Sequence, residues 1–265
     1  MTVIKYPLNI IADPLSKIIN TSLRNGIFPD KLTIAKVLPV FKSEDPQYFV
    51  NYRPISLLSN FSKVFEKVVS NRFITRLIKI LYCCQFGFRK NRYTALSLTY
   101  LINKVAESID GNDVIVVIVF LDFSKAFDTL DHEILFNNLK HYSIRGVALE
   151  WVKSYFSERL QFVQFYQTTS CKCQIKRGVP QWLILGPLFF ILYINDLPNA
   201  SNLAESLLFA DDNISIFYPH RNQDHIISVL NEELIKIDNW MKSNKLSVNI
   251  KTNYVFFQPE RKKTS

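Results

Sequence analysis

The stretch LLFADDNISIF, residues 207–217, constrains this chain more than any other. Two short apolar runs, Leu207–Ala210 and Ile214–Phe217, flank Asp211, Asp212 and Asn213. That pattern reads as a hairpin with an acidic tip. Neighbouring carboxylates repel, and burial between apolar strands raises the cost of ionising both. An ordinary turn can hold an Asp pair. A divalent cation held by hard oxygen ligands would give the pair a use.

A second run, VIVVIVFL at Val114–Leu121, is continuously apolar and β-branched, and Asp122 follows it. It reads as a strand buried on both faces. Laying that strand beside the hairpin would bring Asp122, Asp211 and Asp212 to one point. Three such acids are tolerable only with cations between them. Two Mg2+ ions roughly 3.5–4 Å apart are the usual arrangement for phosphoryl transfer. Mn2+ could stand in for either.

Composition narrows the setting. Hydrophobic residues make up 48% of the 265 positions, with 21 Phe, which excludes a disordered chain. The net charge of +9 points to a polyanionic partner, most often nucleic acid. Cys83–Cys84 and Cys171-x-Cys173 lack the spacing of a zinc ribbon and read as free thiols. The longest apolar run, Leu183–Ile194, contains Gly186 and Pro187 and is too short to span a bilayer. The expectation is a soluble intracellular chain with no membrane partner. Nucleus and cytoplasm are not distinguished.

The pattern along the chain mixes helices with hairpins, so the expected class is α+β. Helices are expected over Pro14–Leu23, from an N-cap at Asn60 to Leu81, and over Ala95–Ser108. Others are expected from Asp131, over Pro187–Asn195 and over Asp224–Ser243. The Asp224–Ser243 helix should turn Ile227, Leu230, Leu234 and Ile237 inward. LTIAKVLPVF reads as a strand, SEDPQYFVNYRP as a proline-bounded loop, Phe162–Ile175 as a hairpin and Asn253–Phe257 as a last strand.

Three further segments bear on the acids: LDFSKAFDTLDH at 121–132, RGVPQWLILGPLFFILYINDLP at 177–198 and NYRPISLL at 51–58. With FADD at 209–212, they closely resemble reverse transcriptases of non-LTR retrotransposons, the LINE or jockey-like group. The resemblance runs from GIFPDKLTIAKVLPVFK through QFGFRKN to the W-x3-N-K-L-S-x-N segment. It implies a right-hand polymerase, with 1–110 mainly fingers, 111–258 mainly palm with a helical insertion, and 259–265 a basic tail. The thumb is expected to be absent or truncated.

The resemblance also implies roles for particular residues. Asp122, Asp211 and Asp212 match the catalytic metal-binding acids, and the backbone carbonyl of Phe123 would complete one metal's shell. Phe127 matches an aromatic gate that excludes a ribose 2′-OH. Arg53 matches a fingers arginine on the incoming triphosphate, for which the guanidinium fork is suited. Lys42 is a second candidate for that task, and Gln181 matches a glutamine near the nucleotide. Arg89, Lys90 and Arg92 would meet the template or primer backbone, and Lys251 falls near a lysine-bearing segment. Asp128 and Asp131 read as loop and helix-capping residues, and His132 as a structural partner of that loop. The implied activity is RNA-directed DNA synthesis, with RNA template, DNA primer and dNTPs as partners. Oligomeric state is not specified.

The chain departs from the family pattern at Trp182 and Leu183, where glycine and serine are usual, and at Asn213, where threonine is common. Only one residue separates Asn249 from Lys251-Thr252, against the usual two. An indole at Trp182 would crowd the nucleotide. An inactive relic that keeps nucleic-acid binding is therefore the alternative. A metal-dependent nuclease would explain the acids but not Arg53, Phe127 and the GVPQ segment together.

Overall fold

The computed structural model describes residues 8–110, 114–179, 183–210, 213–249 and 253–258. In chain order the described elements begin with α1 (Leu8–Asn25), β1 (Ile34–Phe41), β2 (Tyr52–Leu57), α2 (Asn60–Leu77), α3 (Thr94–Ile109) and β3 (Ile115–Leu121). Next come α4 (Ala126–Thr129), α5 (His132–His141), α6 (Val147–Phe156), β4 (Leu160–Phe165), β5 (Thr168–Thr169) and β6 (Cys173–Gln174). The chain then forms α7 (Leu185–Tyr193), β7 (Glu205–Phe209), β8 (Asn213–His220), α8 (Gln223–Ser243) and β9 (Asn253–Phe257). Among the described residues no helix is long and apolar enough to cross a membrane.

The chain divides into two compact units, each assembled from two stretches: 1–79 with 131–189, and 80–130 with 190–265. In the first unit β2, β1, β4 and β5 lie in order, with β6 also paired to β4. β1 pairs antiparallel with β2 and parallel with β4. Pro39, which has no N–H to donate, lies beyond the β4-paired stretch Ile34–Val37, where a missing donor costs the sheet nothing. The core packs Phe28 edge-on against Phe65, Trp151 and Tyr155, with centroids 5.9, 5.4 and 5.1 Å away. α6, which supplies Trp151 and Tyr155, was not anticipated from the sequence. The i, i+4 spacing of those two aromatics is the signal that marks it.

In the second unit β7, β8, β3 and β9 form an all-antiparallel sheet. β3 is buried along nearly its whole length, as its continuous apolar run predicts. One cluster joins Val116 and Ile118 of β3 to Leu101 and Val105 of α3, Leu207 of β7 and Phe217 of β8.

Several local expectations are corrected. The cap of α2 is Ser59, whose side chain accepts from Ser62 N, and not Asn60. That helix stops at Leu77. It buries Ser62, Phe65, Glu66, Val69 and Ser70, while Phe61 and Ile74 face solvent. Tyr52, Arg53 and Pro54, expected in a loop, belong to β2, because β1 offers them a free edge. α8 is rotated from its expected stripe: Ile226, Val229 and Glu233 are buried with Leu230 and Ile237, and Ile227 is exposed. The turned face of α8 carries the buried acid Glu233, as α2 carries Glu66. Glu233 is drawn inward by the Ser201 hydroxyl and the Asn202 N–H, both at 2.7 Å. Asp131 does cap α5, accepting from Glu133 N and Ile134 N. His132 binds the Gly178 carbonyl at 2.8 Å.

Candidate active site

The register of the four-stranded sheet builds the site. β3 pairs with β8 so that Leu121 lies opposite Ile214, and β7 pairs with β8 so that Phe209 lies opposite Asn213. The start of β8, which follows the acidic pair, therefore lies beside the end of β3, next to Asp122, with the end of β7 one strand further out. Asp211 and Asp212 themselves fall outside the described residues, as do Gln181, Trp182 and Lys251.

Asp122 is tied down from the far side by a residue the sequence reading did not single out. Asn249 donates its backbone N–H to the Asp122 carbonyl at 2.7 Å and its side-chain amide to Oδ2 at 3.1 Å. A short antiparallel bridge, Phe123 opposite Val248, extends this contact, with Ser124 N–H reaching the Ser247 carbonyl at 2.8 Å. In that pattern the amide groups of Asp122 and Ser124 face Ser247–Asn249, and those of Phe123 point away. The Phe123 carbonyl thus stays outside this ladder. The half-buried carboxylate of Asp122 and that carbonyl are both hard oxygen donors, which is the chemistry a Mg2+ or Mn2+ ion takes.

The gate candidate stands just beyond. Lys125 adopts φ +50° and turns the chain into the single turn of α4. Phe127, half-buried on that turn, packs against Phe190 at 5.2 Å and Phe88 at 6.1 Å between centroids. Phe190 also meets Phe123 edge-on at 5.6 Å. Rings on two sides hold the Phe127 side chain in place.

The match of known families decides what this site belongs to. A model described as reverse transcriptase (RNA-dependent DNA polymerase) fits residues 42–260. The chain belongs to the reverse transcriptase family. It is 32% identical over 251 residues to the probable RNA-directed DNA polymerase from transposon BS of Drosophila melanogaster, covering 89% of this chain and 27% of that protein. It is 31% identical over 194 residues to the RNA-directed DNA polymerase from mobile element jockey of the same species, covering 72% and 21%. The chain thus spans about a quarter of the length of the curated relatives it matches. Apo telomerase from Candida tropicalis, truncated from its C-terminal domain, shares the fold with a TM-score of 0.59 at 14% identity. That superposition covers 95% of this chain and 56% of the telomerase chain. The α+β reverse transcriptase fold expected from the sequence is the fold observed.

The other residues singled out in this reverse transcriptase domain divide into two groups. Arg89 and Arg92 belong to the second unit, where their guanidiniums brace their own loop. Arg89 donates to the carbonyls of Tyr82 and Gln85 at 3.0 and 3.2 Å, and Arg92 donates to the Cys83 carbonyl while lying over the Phe86 ring. Desolvation, then the neighbouring Arg92 charge, lowers the Arg89 pKa. Lys90 is exposed beside them. Arg53 and Lys42 belong to the first unit and are both exposed. Val40 pairs with Arg53, and the Lys42 N–H reaches the Asn51 carbonyl at 2.8 Å, so pairing continues past the end of β1. Paired residues share a face and so do residues two apart on a strand, which places Arg53 and Lys42 on the same face of the hairpin.

Proposed function

We propose that this domain carries out template-directed DNA synthesis, joining dNTPs to the 3′-OH of a DNA primer on an RNA template. What supports the reading is the sheet register, in which the end of β3 before Asp122 pairs with the start of β8 after Asp212, and the end of β7 before Asp211 pairs with that same start. In this reading those three carboxylates and the Phe123 carbonyl hold two Mg2+ ions. The ions would lower the pKa of the primer hydroxyl and neutralise charge on the triphosphate and the departing pyrophosphate. Asn249 keeps Asp122 in one orientation while that charge develops.

Arg53 and Lys42 bind the triphosphate from their shared hairpin face, and Gln181 lies near the nucleotide. Phe127 fills the space a 2′-OH would need. Lys90, with the loop that Arg89 and Arg92 stiffen, meets the template backbone. The +9 charge of the chain suits a polyanionic substrate. The palm of the hand is the unit built on β7, β8, β3 and β9, and the fingers draw mainly on the other unit.

Primer extension on an RNA template with dNTPs and Mg2+ tests the reading. Asp122→Asn should abolish extension. If only Trp182→Gly extends the primer, the reading stands and the indole is what blocks this chain. If neither chain extends it while both remain folded, the reading fails.

A further inference from the structure

Gln85 is not used by the proposed mechanism, yet its surroundings lead directly to the acidic pair. The segment Cys84–Phe86 lies alongside β7. Phe86 N–H donates to the Leu208 carbonyl at 2.8 Å, and Leu208 N–H donates to the Cys84 carbonyl at 3.0 Å. Between these bonds the Gln85 side chain turns inward and is only 1% exposed. Its Oε1 accepts from Gly87 N–H at 2.9 Å and from Ala210 N–H at 3.3 Å. Ala210 is the residue that immediately precedes Asp211.

Two further observations single out this contact. Ala210 adopts φ +58°, a left-handed backbone uncommon for a residue with a side chain. Gly87 lies directly against it. A Cβ built on Gly87 would collide with the Ala210 N, Cα and Cβ, so only glycine lets the two backbones approach this closely. Moreover, Gln85 Nε2 is buried with no acceptor among the described residues. A buried orphan donor is costly. Methionine would fill the same volume without that cost. What it could not supply is an oxygen accepting from both backbones.

We infer that Gln85 is a positioning residue for the strand end from which the acidic pair follows: its amide oxygen fixes the backbone of Ala210, the residue before Asp211. The inference rests on the reading of those acids as metal ligands. Groups that orient metal ligands from behind typically change metal affinity 10- to 100-fold when removed.

The test is Mn2+ binding by isothermal titration to the whole domain as wild type, Gln85→Met and Gln85→Glu, with primer extension alongside. Gln85→Met should weaken Mn2+ binding by about 10-fold or more. It should also lower kcat, which rises again at high Mg2+, while the KM for dNTP stays near wild type. Gln85→Glu keeps the accepting oxygen and should restore Mn2+ affinity. If folded Gln85→Met binds Mn2+ as wild type does, the inference alone is overturned. If Gln85→Met does not fold, Gln85→Glu decides, and a folded Gln85→Glu with weakened Mn2+ binding overturns it. If wild type binds no Mn2+, the metal-site reading and the inference fall together.

Discussion

Glu66 offers the sharpest test of how the first unit is held together. Its side chain is fully buried on α2. The carboxylate accepts from the Tyr155 hydroxyl at 2.8 Å, from Ile184 N–H at 2.8 Å and more weakly from Leu185 N–H at 3.4 Å, at the amino end of α7. Arg159, also buried, acts on it electrostatically and stacks over the Tyr155 ring at 4.0 Å. Glu66→Ala would strand two strong donors, each costing about 1–3 kcal/mol when left buried without a partner. It would also remove a negative charge that acts on the buried Arg159 guanidinium from beyond ion-pair distance. For two donors the expected loss is about 4 kcal/mol, a large share of the ~5–15 kcal/mol that holds a domain folded.

Glu66→Gln should lose much less. Its oxygen can still accept from Ile184 N–H, and its amide can donate to Tyr155 once that hydroxyl rotates. Burial, only partly offset by Tyr155, Arg159 and the two backbone N–H groups, raises the Glu66 pKa. The folded state therefore holds this proton more tightly than the unfolded chain does. Relative to Glu66→Gln, the wild type should lose stability as pH rises from the ordinary carboxylate range through the raised value. Urea unfolding followed by far-UV circular dichroism and by Trp fluorescence, to which buried Trp151 contributes, measures both effects. A loss below about 1 kcal/mol in Glu66→Ala, or equal damage from both substitutions, would refute the acceptor role.

Three other outcomes are expected. Asn249→Ala should leave the Asp122 carboxylate free to turn and cut primer extension by about 10-fold, with little change in Tm; unchanged kcat would count against the tether. Phe127→Val should raise the ratio of rNTP to dNTP incorporation in competition assays, and a constant ratio would remove Phe127 from the gate. Glu233 is pushed up by burial but pulled down further by Lys236, Ser201, Asn202 and Leu203, to a pKa of about 2. The stability it supplies, at most about 3 kcal/mol, should be present above the usual carboxylate pKa and vanish as pH falls through 2, and Glu233→Gln should flatten that acid limb in equilibrium unfolding.

Much of the site is legible in the sequence because the relevant signals are local. The buried run before Asp122 becomes β3, the acidic tip lies between β7 and β8, and Asn253–Phe257 forms β9. Asp131 and His132 take the capping and loop roles their types suggest. Helix faces are less legible. Period alone orients a helix by its apolar residues, whereas α2 and α8 bury Glu66 and Glu233 because backbone donors elsewhere in the chain need them. The sequence reads Arg89 and Arg92 as template contacts and does not show that Nη1 of each also donates to carbonyls of its own loop.

The sequence by itself determined the family and the strands that flank the candidate acids, since run length, period and motif order are properties of the chain read in one dimension. Only the tertiary structure decided which distant residues bond to Asp122 and to Ala210. Asn249 reaches Asp122 across 127 positions, and Gln85 reaches Ala210 across 125. A hydrogen bond spans about 3 Å whatever the separation in sequence. Pairings between such distant positions are therefore set by sheet register and by the close approach that Gly87 permits, and no local pattern carries them.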